Sequence, residues 1–142
     1  VFTRIVVDAH EEAKFIRRAL RRYPLEYVEA LWGHVRGDVL YVCVFMPLTH
    51  KATTCAIVDL EEFENELDDH EDQAPEHKQE LLGTIHTHPD SLSVPSQFDT
   101  ESTFSTQEAV MGICSIDRKS SARTKTSVTY WPRYNPLEVE RR

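Results

Sequence analysis

The chain has 142 residues, 40% of them hydrophobic, and a formal net charge of −8. That length suits one domain whose core needs no disulfide staples, and no apolar run approaches the roughly 18–20 residues that span a bilayer. Ten of the 24 acids fall in residues 61–80 against one base, Lys78, and the near-neutral remainder concentrates no basic footprint for a nucleic-acid partner.

Residues 2–7 read as a strand. A helix follows from Ala9 to Arg22, with Ala13, Phe15, Ile16 and Leu20 near helical spacing and Pro24 to stop it. Arg17, Arg18, Arg21 and Arg22 cluster on this helix as a solvated face. Residues 25–34 and 38–46 look like two strands joined at Arg36-Gly37-Asp38, a hairpin turn rather than an adhesion tripeptide. Residues 47–52 form a loop and 53–58 another strand. Asp59 then caps a helix carrying Leu60, Phe63 and Leu67 at helical spacing. Residues 68–79 are charged, contain Pro75 and have almost no apolar side chains, so a loop is expected. Together these make an acidic helix-loop insertion over about residues 59–80.

Leu81 to Thr87 is an apolar strand that runs into two histidines. A Pro-containing loop over 89–97 leads to a short helix near 98–107. Strands near 109–116 and 126–131 follow, and 132–142 reads as a tail. Mixed strands and helices imply an α/β sheet protein in a single domain, 1–142. Cys43, Cys55 and Cys114 lie in apolar runs without C-x-x-C spacing and read as buried free thiols, with a Cys43–Cys55 disulfide across a hairpin as the alternative. A cytoplasmic protein, not membrane-bound, is expected.

The chemistry concentrates in one stretch. His86 and His88 are separated by one residue, Ser96 follows eight residues after His88, and Asp99 three after Ser96, giving H-x-H-x(7)-S-x-x-D. On a strand the two imidazoles share a face, because side chains alternate with period two. Two imidazoles and a carboxylate suit zinc better than magnesium or calcium, and a catalytic zinc takes three protein ligands and keeps one position for water. H-x-H-x-D is also present as His86, His88 and Asp90, the start of a metallo-β-lactamase-like pattern. That pattern continues with His where this chain has Ser91, and no histidine follows His88. His34, His50, His70 and His77 lack ligand spacing and read as surface groups.

The full pattern resembles the JAMM (MPN+, JAB) metalloprotease family, whose signature is a distant Glu followed by H-x-H-x(7)-S-x-x-D. The likeness covers residues 2–131, and the pairing of Pro95 with Ser96 is closer to compact prokaryotic members than to eukaryotic proteasome-lid or endosomal ones. It implies an MPN/JAB, cytidine-deaminase-like fold, with a mixed curved sheet flanked by helices. It also implies one zinc ion with a bound water on His86, His88 and Asp99, with Ser96 stabilising the oxyanion or capping the following helix. Relatives commonly carry a Gly seven residues after the catalytic Glu; Glu26 meets this with Gly33, and Glu29 does not. The odd spacing puts the two acids on opposite faces, so Glu26 is the expected acid/base.

The implied activity is hydrolysis of isopeptide or peptide bonds after the C-terminal Gly of a ubiquitin-like protein, and the implied partner is that protein or its conjugates. The alternatives are hydrolysis of a sulfur-carrier adduct or a small acyl-amino acid, a non-catalytic scaffold, and a structural zinc. The acidic segment 61–80 lies where larger relatives contact their partner, and it either attracts a basic partner surface or is a solvated face.

Overall fold

The computed structural model describes residues 1–47, 79–95, 109–119 and 122–142. In chain order these form β1 (Arg4–Val7), α1 (Ala9–Arg22), β2 (Val28–Arg36), β3 (Val39–Pro47), β4 (Glu80–Pro89), β5 (Val110–Asp117), β6 (Lys125–Trp131) and β7 (Glu138–Arg141). The strands join in one mixed sheet, in the order β6-β5-β4-β2-β3-β1-β7. The pairs β2–β3, β2–β4 and β5–β6 are antiparallel, whereas β1–β3, β1–β7 and β4–β5 are parallel. The expected strand 53–58, the helices near 59–67 and 98–107, Cys55, His50, His70 and His77 lie outside the described residues.

Helix α1 spans the expected residues for local reasons. The Asp8 carboxylate accepts the Glu11 backbone N–H at 2.9 Å, acids occupy the first turn, and Arg21 and Arg22 the last. That charge order complements the helix dipole. The helix lies on one face of the sheet, where Phe15 and Ala19 pack among Tyr27, Leu31, Phe45, Ile85, Cys114 and Tyr130. Phe15 is fully buried, with ring centroids 6.1 Å from Tyr27 and 5.6 Å from Phe45. Its burial contributes about 2–3 kcal/mol. The opposite face carries two smaller apolar groups, Val28-Ala30-Trp32 and Met111-Ile113-Trp131.

Two glycines let backbones meet. A Cβ on Gly33 would stand 1.7 Å from the Tyr41 carbonyl oxygen, and one on Gly83 would stand 1.8 Å from that of Val110. Gly33 also sits where the β2–β3 register shifts, a bulge that bends the strand. The Arg36-Gly37-Asp38 tripeptide is the β2–β3 turn, with Gly37 at φ 61°.

Three expectations are corrected. Residues 132–142 are not a plain tail, because Glu138–Arg141 forms β7 in parallel register with β1. Leu137 is buried there, and Arg142 is held at both backbone groups, by Ala9 N–H at 2.8 Å and Val7 C=O at 3.0 Å. Arg18 is not on a solvated face; it turns inward to a carboxylate on β2. His34 is half-buried rather than a surface group, and stacks on Tyr41 with ring centroids 5.0 Å apart.

Helix α1 also buries an acid, which apolar periodicity gives no reason to expect. Glu12 is 5% exposed. It accepts the Tyr130 hydroxyl at 2.6 Å and the Arg141 guanidinium at 2.6 and 3.3 Å, which offset its desolvation.

Candidate metal centre

Strand β4 carries His86 and His88 on one face, and its pairing with β2 identifies what stands beside them. Val28 lies opposite His86. The ladder continues as Tyr27 N–H donates to Thr87 Oγ1 and Thr87 N–H to the Tyr27 carbonyl, both at 2.9 Å. One residue further, the register brings Glu26, which forms a bridge just ahead of β2, opposite His88. Directly opposed residues of an antiparallel pair share a face. Tyr27 and Glu29 point toward α1, so alternation turns Glu26 and Val28 to the side of the histidines. Glu26, His86 and His88 are all half-buried.

The ring nitrogens converge. His86 Nε2 and His88 Nε2 are 3.1 Å apart, with ring planes tilted by 56°. Two nitrogens on one tetrahedral zinc at 2.0–2.1 Å lie about 3.3 Å apart, so this spacing fits a shared ion. His88 Nδ1 lies 2.9 Å from the Leu92 carbonyl. A carbonyl only accepts, so this contact requires a proton on Nδ1 and makes Nε2 the nitrogen whose lone pair can bind a metal. The donor set therefore suits zinc. Among the described residues no third His, Cys, Asp or Glu completes a metal-holding group. Asp99, the expected third ligand, and Ser96 lie outside the described residues.

The turn after His88 is built around Asp90, a non-glycine residue at φ 55°. Asp90 Oδ2 accepts the Tyr23 hydroxyl at 2.6 Å, and Oδ1 accepts the Arg118 backbone N–H at 3.0 Å. The Tyr23 hydrogen bond is the main reason the Asp90 carboxyl lies below the usual carboxylate range, and that bond in turn raises the Tyr23 phenol. The Arg118 guanidinium sits 4.8 Å over the Tyr23 ring. With both oxygens engaged, Asp90 is a turn-former here, so the H-x-H-x-D reading gains nothing from it.

Beyond Asp90 the chain crosses toward β5 and β6. Ser115 Oγ donates to the Ser91 carbonyl, Thr129 Oγ1 to the Ser93 carbonyl, and Trp131 Nε1 to the same Ser93 oxygen at 3.2 Å. Leu92 and Val94 extend into solvent, 76% and 47% exposed.

Glu29 belongs to the other side of the sheet. It pairs with Ile85 in register and is fully buried. Its carboxylate accepts from Arg18 Nε and Nη2, at 2.7 and 2.8 Å, and from the Tyr27 hydroxyl at 2.5 Å. Burial first, and the Glu29 hydrogen bond second, push the Tyr27 phenol well above its ordinary value. Glu29 ties the helix to the sheet and cannot reach the histidine face.

Residues 8–131 match the model of a family described as prokaryotic homologs of the JAB domain. The chain belongs to that family. This JAB-domain chain is similar in fold to a protein from Desulfitobacterium hafniense solved in solution, with a TM-score of 0.64 and 16% identity over 97% of this chain and 92% of that one. It is similar also to a JAB1/MPN domain protein from Archaeoglobus fulgidus, with a TM-score of 0.53 and 16% identity over 97% and 98% of the two chains. A search of curated proteins returns no match. JAB/MPN domains include metalloisopeptidases and non-catalytic members.

Tyr23, Ser115, Thr129 and Trp131 surround this JAB-domain site without any sequence signal. Each touches it through a strand register or a turn, and neither is legible in one sequence. Among the described residues no helix is long and apolar enough to cross a membrane.

Proposed function

We propose that this JAB-domain chain is a zinc-dependent hydrolase that cleaves the isopeptide or peptide bond after the C-terminal Gly of a ubiquitin-like protein. The observation that carries the reading is the 3.1 Å convergence of His86 Nε2 and His88 Nε2 on the face to which the β2–β4 register turns Glu26. His86, His88 and Asp99 would hold the ion. When bound, zinc supplies Lewis-acid polarisation of the scissile carbonyl and acidifies a water.

The chain's own residues do the rest. Glu26 takes a proton from the attacking water on a carboxylate oxygen and returns it to the leaving amine nitrogen. Its place opposite His88 sets its backbone one strand spacing, about 5 Å, from the ligand row. The Ser96 hydroxyl donates a hydrogen bond to the carbonyl oxygen as negative charge grows there. Asp90 fixes the turn by which the chain leaves His88.

The test is Glu26→Gln with zinc content measured alongside cleavage of a ubiquitin-like conjugate. The expected result is unchanged zinc stoichiometry and a loss of cleavage of at least a hundredfold. Full cleavage by a zinc-loaded Glu26→Gln protein would remove Glu26 as the base. Turnover of small acyl-amino acids with no turnover of conjugates would move the substrate to the small-molecule class.

A further inference from the structure

Three consecutive carbonyls follow the turn after His88, and each is taken by a side chain from a different strand. Ser91 C=O accepts Ser115 Oγ from β5, and Leu92 C=O faces His88 Nδ1 from β4 at 2.9 Å. Ser93 C=O accepts Thr129 Oγ1 and Trp131 Nε1 from β6. The donors stand close together on one face of the sheet, since Ser115 pairs with His88 and Thr129 lies two pairs along from Ser127, the partner of Ser115. Trp131 is 9% exposed, and its indole also donates to Thr129 Oγ1 at 2.9 Å, so the β6 end of the row is rigid.

The consequence falls on His88. A neutral imidazole carries its proton on either nitrogen, and only the Nδ1–H form leaves Nε2 able to bind a metal. The Leu92 carbonyl selects that form only while it stays in place. Its own side chain is in solvent and gives no anchor, so its position depends on the carbonyls on either side. We infer that Ser115, Thr129 and Trp131 are positioning residues for the metal centre, which clamp the 91–93 backbone so that Leu92 C=O holds His88 in its metal-binding tautomer. This rests on the zinc reading above. Partners that orient a metal-bound histidine are typically worth about 10–100-fold in metal affinity.

The experiment reads the tautomer and the metal separately. Nitrogen chemical shifts of His88 are recorded in the metal-free protein at about pH 8.5, where an ordinary imidazole is neutral. Zinc affinity is then measured by chelator competition. The wild-type protein should show the Nδ1–H form. Ser115→Ala combined with Thr129→Val should populate the Nε2–H form and weaken zinc about tenfold or more. The conservative pair Ser115→Thr with Thr129→Ser should restore both readouts, and Val94→Ala, on the same loop but outside the carbonyl row, should leave both unchanged. If the double variant fails to fold, Ser115→Ala and Thr129→Val are read singly, and an unchanged tautomer and zinc affinity in both overturns the inference.

An Nε2–H tautomer in the wild-type protein overturns the inference, as does a folded double variant with unchanged tautomer and zinc affinity within twofold. A wild-type chain with the Nδ1–H form that binds no zinc would support the clamp and defeat the zinc hydrolase reading instead.

Discussion

Arg18 on α1 and Glu29 on β2 form a two-point ion pair across the helix–sheet interface, with Nε to Oε2 at 2.7 Å and Nη2 to Oε1 at 2.8 Å. The same Nη2 donates to the Phe45 carbonyl at 3.2 Å, so one guanidinium joins α1 to β2 and β3. Removing it leaves a fully buried carboxylate with the Tyr27 hydroxyl alone. Arg18→Ala is expected to lower the unfolding free energy by about 3–5 kcal/mol, whereas Arg18→Met with Glu29→Met loses much less. Urea unfolding measures both. Cleavage per folded molecule should survive in either, the opposite of the Glu26→Gln outcome.

Three buried weak acids make the fold sensitive to alkali. Burial, then the nearby Glu12 charge, pushes the Cys114 thiol up to about 12 and the Tyr130 phenol well above its ordinary value. Tyr27 shifts the same way. In each the folded chain keeps a proton that the unfolded chain releases. Their contribution is therefore complete below the unfolded values, 9.0 for the thiol and 10.0 for the phenols, and is lost as pH climbs toward the folded ones. Urea midpoints should fall steeply between about pH 9 and 11, and Cys114→Ala should make that fall shallower. An equally steep fall would remove the thiol from the account.

Gly83 tests the closeness of β4 and β5. It pairs with Val110, whose carbonyl oxygen a new Cβ would meet at 1.8 Å. Neither partner is a flexible side chain, so the strands must separate just before the histidines. Gly83→Ala should cost more than the roughly 1–3 kcal/mol typical of overpacking, giving insoluble protein or a much lower thermal midpoint by circular dichroism.

The acidic segment 61–80 is proposed to attract a basic partner surface. Replacing its carboxylates by amides should weaken cleavage of a ubiquitin-like conjugate at low salt, mainly through KM, and the difference should shrink near 0.5 M salt as screening shortens to a few ångströms. Equal kinetics at both salt levels would leave the segment as a solvated face.

The sequence carries this fold unevenly. Helix α1 is legible to the residue because its signals are local: Asp8 caps it, Pro24 follows it, and Phe15 and Ile16 give it a buried side. The histidine strand is legible because alternation is local too, although β4 runs on to Pro89. Strand β7 is not, since four residues with one inward Val139 resemble a tail until β1, more than 130 positions earlier, supplies the other half of the ladder. Arg18 fails for the same reason. The charged residues within four positions of it on the helix, Lys14, Arg17, Arg21 and Arg22, are all cations, and only the fold brings Glu29 to it. At the candidate site, residue types and spacing point to His86 and His88, and the family resemblance to Glu26, whereas Ser115 and Thr129 bear on it through a β4–β5–β6 register that no single sequence displays.

Glu12 and Arg141 are 129 residues apart in the chain. At ribosomal rates of about 5–20 residues per second, roughly 6–26 s separate the synthesis of the acid from that of its cation. Through that interval α1 can rest on the early strands by its Phe15 side, but its first turns hold a carboxylate that resists burial. The acid's cation arrives only with β7, so the family-matched core of residues 8–131 is sealed by a strand that lies beyond it.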